Sequence, residues 1–391
     1  MNLKNLYLTV GQSQYDVFSH WHEQLRAGFE KLGVRAQILK DPLKVAGCDF
    51  GGDSVSMGFN LVGCWLEGGL DRQHIAWSVD HPAFNEMYFR KRQENPALGR
   101  AVELLFVDHS RCLFAEERLM APPTHFLPHA ATAPFADVSD WSDRPYDLVF
   151  FGTMEFPDTY KKQLLDRAAP ISPLIVTLLE QVMGGYQFEA DRLIDLEFWN
   201  LLDESFNLSP KDLQKLFLGL YPLFELYFRY QHRIRFFQSI RSHQVHVFGN
   251  GPWDQIGLPP NVIVHPSVSH LEIPEILRQS KMVVNHAPTL RDGGHERVFD
   301  ALACGCGVLS TPSTYLSEEF GDSQGILFCP PGQESHLDDL IAGFFQRDRR
   351  GGIRMGQLRV KADHTMDVRA KQLLHLIHQR WGLTVEPICA E

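Results

Sequence analysis

The sequence predicts an α/β protein with two domains, each built on a parallel sheet that helices cover. Apolar, β-rich runs alternate with helical runs along most of the 391 residues, a pattern typical of parallel sheets. A small, polar, Pro-containing segment at 131–144 interrupts the series and predicts a linker. The alternation then resumes around a long helical segment, which predicts an insertion early in the second domain.

The first domain is predicted to begin with a strand and an amphipathic helix. In that helix Phe18, Trp21, Leu25 and Phe29 recur at helical spacing, and Gly33 ends it. The remaining elements follow the same alternation. Strands are predicted at 3–10, 34–39, 59–64, 74–79, 104–107 and 124–127, with later helices at 83–93 and 110–119.

The second domain repeats this alternation around the insertion at 157–242. Strands are predicted at 146–152, 245–249, 262–265, 282–285, 307–310 and 326–329, and helices at 270–280, from 295, at 313–320, at 336–345 and at 367–381. A loop is predicted at 347–356. Within the insertion, the apolar run 216–228 is interrupted by Pro222 and predicts a buried helical hairpin; the alternative is a groove for a protein or lipid-linked acceptor.

Composition narrows the possible partners and the compartment. The net charge of -11 argues against a nucleic-acid partner, because neutralising phosphates requires an excess of Lys and Arg. No run is long enough to cross a bilayer and the N-terminus leads into a strand, so we expect no transmembrane segment and a cytoplasmic location. Seven cysteines without a C-x-x-C pair predict free thiols in a reducing compartment.

A glycine-containing corner at 281–311 has the outline of a phosphate site. A buried strand runs into a polar loop that contains Gly293 and Gly294, and a short helix then starts near His295 with Arg297 in its first turn. Exposed N–H groups and the helix dipole at such a corner favour an anion. Asp292 and Asp300 stand eight positions apart and suit the hydroxyls of a sugar and a ribose. A plain βαβ unit is the alternative interpretation.

The segment HERVFDALACGCGVLST, at 295–311, resembles the C-terminal donor-binding segment of GT-B glycosyltransferases. In that pattern an acid, seven residues and a second acid precede a Cys-Gly turn and a hydrophobic strand. The closer resemblance is to the group that includes the spore-maturation CgeB glycosyltransferases, where an Arg precedes the second acid by three residues, as Arg297 precedes Asp300. The second acid is Asp where the pattern prefers Glu, and Glu296 competes with Asp292 for the sugar-facing position.

The resemblance implies two Rossmann-like domains that face each other across a cleft. We expect an acceptor-side domain at 1–135, a nucleotide-sugar-binding domain at 145–365 and a terminal helix at 366–391 that packs back on the first domain. The resemblance also implies that the turn after the strand at 146–152 approaches the donor. The donor-binding candidates are Gly11, Gly152, Thr153, Gly249, Asn250, Asp292, Gly293, Gly294, His295, Glu296, Arg297 and Asp300.

Candidate catalytic side chains lie where predicted strands end. Asp80 and His81 follow the strand at 74–79, and an acid beside an imidazole suits deprotonation of an acceptor hydroxyl. The alternative is a helix-capping Asp with an incidental His. His20 and Asp16 are reserve candidates for the base, and Arg297 is the candidate for stabilising the leaving group.

These observations predict a hexosyltransferase-type enzyme that moves a sugar from a nucleotide diphosphate to a protein, glycan or other hydroxyl acceptor. The sequence contains no D-x-D motif, so we expect no metal ion and no further cofactor, with helix ends and cations neutralising the leaving diphosphate. Two alternatives remain. One is a nucleotide-sugar epimerase or hydrolase on the same fold, and the other is a non-catalytic nucleotide-sugar-binding protein.

Overall fold

The computed structural model describes residues 1–11, 13, 16–40, 52–60, 73–139, 143–185, 194–321, 324–329 and 332–385. Over this part of the chain, two six-stranded sheets form, and neighbouring strands in both are parallel. The predicted α/β architecture with two Rossmann-like sheets is confirmed.

The first sheet has the strand order β2-β1-β3-β4-β5-β6. Its strands are β1 Asn5–Thr9, β2 Ala36–Leu39, β3 Ser54–Phe59, β4 Gln73–Ser78, β5 Val102–Phe106 and β6 His125–Phe126. The helices of this half are α1 Val17–Lys31, α2 Glu86–Glu94, α3 Leu98–Ala101 and α4 His109–Glu117, with a 3₁₀ turn at Pro82–Asn85. Every residue of β3 and β5 is buried, as expected for a parallel sheet covered on both faces.

The second sheet has the strand order β12-β11-β10-β7-β8-β9. Its strands are β7 Tyr146–Phe151, β8 Val245–Phe248, β9 Val262–His265, β10 Ser280–Asn285, β11 Gly307–Ser310 and β12 Ile326–Phe328. The helices that flank it are α9 Ile273–Arg278, α10 Glu296–Ala303, α11 Thr314–Phe320 and α12 Leu337–Phe345.

The segment between β7 and β8 is a helical insertion, as predicted. Its helices are α5 Pro157–Ala168, α6 Pro173–Gly185, α7 Ile194–Phe206 and α8 Pro210–Ser239. Helix α8 is buried along most of its length, as expected for its apolar run, but it continues through Pro222 as a single helix, so the run does not form the predicted hairpin. Its Phe217 ring lies 5.0 Å from the Phe114 ring of α4, so the insertion shares a hydrophobic core with the N-terminal half.

The chain ends with helices α13 Arg350–Asp363 and α14 Met366–Trp381. Apolar residues of α14, including Leu373 and Ile377, share a cluster with Leu25 and Phe29 of α1. The buried Arg369 donates from Nε to the carbonyl oxygen of Pro128 at 2.7 Å, and also to the carbonyl oxygen of His129. The C-terminal helix is therefore fastened to the N-terminal half and to the start of the linker.

Two further predictions about the elements are wrong. The loop predicted at 347–356 is largely helix α13, because Ile353 and Val360 find buried positions that outweigh the glycines and charges of the local sequence. The strand predicted at 59–64 is β3, which ends at Phe59. Ser54 and Ser56 interrupt the apolar pattern by which a buried strand is predicted. The structure buries Ser56 because its hydroxyl has a polar partner, the Nδ1 of His74 on the neighbouring strand, at 2.8 Å. Positions 61–64 lie outside the described residues.

Four of the cysteines lie in the described ranges, at 112, 304, 306 and 329, and all four are buried free thiols. No helix in the described ranges has the length and apolarity that a membrane crossing needs.

Candidate functional site

A cavity of about 600 Å³ lies between the two sheets, beyond the carboxyl ends of their strands. On the N-terminal side it is lined by residues that follow β1, β3 and β4, among them Gly11, Asn60 and Asp80. On the C-terminal side the turn after β7 and the start of α10 line it. This is the place where parallel α/β sheets bind their ligands.

A second, inner chamber of about 210 Å³ adjoins this cavity. Both spaces share Asp80, Arg229, Glu296 and Arg297, so they form one continuous site. The segment between β10 and α10 forms one wall of the chamber, and α1 forms another. The ring of Trp21 on α1 belongs to this second wall.

Three guanidinium groups converge on the cavity. Arg229 and Arg233 stand one turn apart on α8, and Arg297 lies in the first turn of α10. Arg233 donates to the carbonyl oxygen of Thr153 at 2.6 Å. The guanidinium carbons of Arg233 and Arg297 lie 5.2 and 5.1 Å from the centroid of the Phe150 ring. Burial lowers the pKa of Arg297, and the neighbouring Glu296 carboxylate acts in the opposite direction.

Glu296 sits beside these cations with two imidazoles. Its carboxylate lies 2.6 Å from Nδ1 of His295 and 3.8 Å from Nε2 of His129. Burial acts to raise the pKa of Glu296, but the His295 contact and the charges of His129 and Arg297 outweigh it, so the pKa falls. Glu296 is therefore a carboxylate, an acceptor suited to sugar hydroxyls.

Asp300 lines the cavity from the second turn of α10 and also binds the linker. Its Oδ1 accepts hydrogen bonds from the backbone N–H groups of Thr132 and Ala133, at 2.6 and 2.8 Å. Burial raises the pKa of Asp300 to about 6, although these two hydrogen bonds act in the opposite direction. The carboxyl group thus joins the linker to α10.

The raised pKa of Asp300 predicts a specific pH dependence of stability. Because the folded protein holds the Asp300 proton more tightly than the unfolded chain does, the contribution of Asp300 to stability falls as pH rises from about 4 to about 6, then stays constant. Asp300→Asn removes this titration. The free energy of unfolding of the wild type relative to Asp300→Asn should therefore fall by about 3 kcal/mol over that interval. Urea unfolding of both proteins between pH 4 and 7.5 measures it, and parallel pH profiles would contradict the assignment.

Eight of the predicted site residues line the cavity. They are Gly11, Asp80, Gly152, Thr153, His295, Glu296, Arg297 and Asp300. These residues come from both walls of the cavity.

Asp80 and His81 separate in the structure. Asp80 faces the cavity, where Asn60 donates to its Oδ2 at 2.8 Å. His81 is buried away from the cavity, with Nε2 3.1 Å from Asp195 and its ring 4.4 Å from that of Tyr221. Successive side chains of extended backbone point in opposite directions, so adjacency in sequence does not make a pair. We retain Asp80 as the candidate base and not His81.

The glycine pair of the corner does not line the cavity. A Cβ at Gly293 would lie 2.2 Å from the carbonyl oxygen of Val107, and one at Gly294 would lie 2.8 Å from the Phe299 ring. Asp292 also faces away: its backbone N–H donates to Asp108 at 2.9 Å, and its carboxylate lies 3.3 Å from His109. These three residues hold the loop against the start of α4, while the helix start at Glu296 and Arg297 faces the ligand space.

Four other candidates, Gly249, Asn250, His20 and Asp16, do not line the cavity. A Cβ at Gly249 would lie 1.8 Å from the carbonyl oxygen of Gly152, and the Asn250 carbonyl accepts from the N–H of Met154 at 2.9 Å. Both residues support the Gly152 turn from behind. The His20 ring lies 4.8 Å from the His270 ring, centroid to centroid, with the planes tilted by 49°, and it opens onto a neighbouring depression next to the linker. The reserve candidate Asp16 accepts a hydrogen bond from Ser19 at 2.5 Å at the start of α1.

Sequence reasoning missed Arg229 and Arg233. Both lie in a helix whose other residues are mostly core, and a charged pair at i and i+4 within an apolar helix is the signal that marks them. In the part of the chain that the structure describes, no group of three or more His, Cys, Asp or Glu side chains is placed to hold a metal ion.

Comparisons with known proteins bear on the family and the fold of the chain. A family model described as glycosyl transferase-like matches residues 231–375, which include Arg233, Arg297 and Asp300. No curated protein sequence matches the chain.

Two solved structures cover 97% of this chain and 100% of their own. Sucrose-phosphate synthase from Thermosynechococcus elongatus matches with a TM-score of 0.55 at 11% identity. A DNA modifying enzyme, β-glucosyltransferase, matches with a TM-score of 0.51 at 8% identity. At these identities the likeness shows the fold, and the family match points to glycosyl transfer. The chain has the GT-B glycosyltransferase fold, and its C-terminal sheet carries the segment similar to glycosyl transferases.

Proposed function

We propose that this protein is a glycosyltransferase that moves a sugar from a nucleotide diphosphate to a hydroxyl acceptor without a metal ion. The convergence of Arg229, Arg233 and Arg297 on the cavity between the sheets carries this proposal. Three guanidinium groups in a partly buried site suit a diphosphate, because each offers several N–H donors as well as charge. The matched glycosyl transferase-like segment supplies two of the three.

The diphosphate is the leaving group in this mechanism. The acceptor oxygen forms a bond to the anomeric carbon, and the bond from that carbon to the phosphate oxygen breaks with its electron pair. Arg297, the α10 start and the two arginines of α8 stabilise the negative charge that develops on the departing diphosphate. These groups are already in place, so little reorganisation is needed during the reaction.

Asp80 takes the acceptor proton in this proposal. Its carboxylate lies on the N-terminal wall, opposite the α10 start, and the hydrogen bond from Asn60 fixes its orientation. Position relative to the hydroxyl decides whether a general base works, so a carboxylate held on the acceptor side is the appropriate group.

The donor would lie along the C-terminal wall. We assign Gly152 and Thr153 to its backbone contacts, Asp300 to the ribose and Glu296 to the sugar. Asp292, which faces α4, loses the sugar-facing role to Glu296. The acceptor, a protein, a glycan or another hydroxyl compound, would enter from the side of Gly11 and Asp80. We further propose that the chain belongs with the CgeB-like group, as a hexosyltransferase, and acts in the cytoplasm, where its free thiols stay reduced.

A ligand screen followed by product analysis tests this function. Thermal unfolding is followed with UDP, GDP, CMP, dTDP and ADP and with the corresponding nucleotide sugars. We expect the ligands of one nucleobase to raise the melting temperature, because ligands that bind only the folded state stabilise it. The selected nucleotide sugar is then incubated with and without hydroxyl acceptors. Sugar transfer that requires an acceptor supports the proposal. Hydrolysis or epimerisation of the donor alone, binding without turnover, or no nucleotide binding at all would each overturn it.

A further inference from the structure

The inner chamber contains an arginine from the N-terminal half. Arg111 is the third residue of α4, and its side chain is 2% exposed. It donates one hydrogen bond, from Nη1 to the carbonyl oxygen of Val79 at 2.9 Å. Among the described residues, its Nε has no acceptor and no carboxylate comes within 4.0 Å of its guanidinium group. A buried charge without such a partner is costly, which points to a ligand that supplies the missing oxygen.

Trp21, which also lines this chamber, carries a second donor without an acceptor among the described residues. Its ring is 2% exposed and packs between Phe59 and His129, with centroid distances of 5.1 and 4.8 Å. Within the ranges that the structure covers, the buried Nε1 has no hydrogen-bond acceptor. An indole N–H donates and cannot accept, so only an acceptor atom satisfies it.

The charges around the chamber also favour a negatively charged ligand. Arg229, Arg233 and Arg297 line it together with Arg111. The carboxylates that line it are Asp80 and Glu296, and Arg229 is additionally paired with the buried Glu225 behind it. The described lining thus carries more guanidinium than carboxylate groups, and an anionic ligand would balance it.

We propose that Arg111 and Trp21 bind anionic oxygens of the donor in this chamber, so that the N-terminal half completes an anion site begun by the C-terminal half. This inference rests on the proposed function, since the ligand is the nucleotide sugar. The anionic oxygens have two possible sources, the diphosphate and a carboxylate on the transferred sugar. Both offer the same chemistry to an Nε–H and an indole N–H.

The test compares four ligands that share the nucleobase selected by the thermal-unfolding screen. They are the nucleoside, the nucleoside diphosphate, the nucleoside diphosphoglucose and the nucleoside diphosphoglucuronic acid. Titration calorimetry gives Kd for the wild type and for Arg111→Gln, Arg111→Lys and Trp21→Phe. Arg118→Gln is the matched control, because Arg118 caps the other end of α4 and lines neither space. Arg111→Lys keeps the positive charge and Trp21→Phe keeps an aromatic ring. These two variants therefore still test the proposal if Arg111→Gln does not fold.

Arg111→Gln should raise Kd for the anionic ligands by about 10- to 100-fold, because a hydrogen bond to a charged group is lost. Kd for the nucleoside should not change. Trp21→Phe should raise Kd for the anionic ligands by about 3- to 10-fold. If the variants bind the nucleoside diphosphate more weakly, the diphosphate is the source of the anionic oxygens. If they bind only the glucuronic acid donor more weakly, its carboxylate is the source.

Kd values within about twofold of wild type for every ligand, in both Arg111 variants and in Trp21→Phe, would overturn the inference and leave the proposed function standing. Equal weakening by Arg118→Gln would also overturn it. A wild type that binds none of the anionic ligands overturns the proposed function, and the inference falls with it.

Discussion

Arg297→Ala should lower turnover by on the order of 100- to 1000-fold while the protein stays folded. Arg297 is the guanidinium group nearest to the α10 start, and it lies over the Phe150 ring and not in an ion pair with a neighbouring carboxylate of the described chain. Its charge is therefore available to the departing diphosphate. Arg297 is only partly buried and forms no ion pair in the described chain, so we expect the loss to appear in kcat and in nucleoside diphosphate affinity more than in stability.

Arg278→Ala is the control for this experiment. Arg278 ends α9, is 36% exposed and is paired with Glu275, so the variant should keep both turnover and affinity. Circular dichroism and the melting temperature establish that Arg297→Ala is folded. Near-normal turnover in Arg297→Ala, measured with the donor that the screen selects, would refute the assignment of leaving-group stabilisation to this residue.

Gly249→Ala should destabilise the protein by about 3 kcal/mol or more. An added Cβ would lie 1.8 Å from the carbonyl oxygen of Gly152, and neither group is a flexible side chain that can move aside. The turns after β7 and β8 must separate to admit it. Since Gly152 and Thr153 line the cavity, donor affinity should fall together with the free energy of unfolding, which urea titration measures.

Gly219→Ala is the matched control, and its effect should have the opposite sign. Gly219 lies within α8 with no atom within 4 Å of an added Cβ. Alanine should stabilise the helix there by about 0.5 to 1 kcal/mol, because glycine loses more backbone entropy on folding. If Gly249→Ala unfolds at the same urea concentration as the wild type, the close approach of the two turns is not a structural requirement.

The predictions from sequence were most accurate where local signals agree. Strand β11 has the predicted bounds, and the predicted residues of β10 all lie in the strand, because apolar runs, glycines and helix starts all point to the same structure there. Helix α13 was missed because its stability comes from burial of Ile353 and Val360 against distant residues, which local sequence does not reveal. The domain boundaries and the individual site roles stay predictions.

Site prediction depended on the direction in which each side chain points. Asp80 reaches the cavity and His81 does not, although the sequence presents them as a pair. Gly293 was expected to admit an anion, but its missing side chain instead lets the loop approach Val107. Arg229 and Arg233 reach the site because the insertion folds over it, which is a tertiary arrangement that no local motif describes.

Helix α8 also connects the two halves mechanically. Its 30 residues form one continuous helix about 45 Å long. The earlier part of the helix packs in the core of the N-terminal half, and Phe236 and Phe237 near its end pack in the core beneath β7. Because one helix packs in both cores, we expect it to oppose wide separation of the two halves, so that ligands enter and leave through small movements at the rim of the cavity. Pro222, inside the helix, is the position where it can bend most easily.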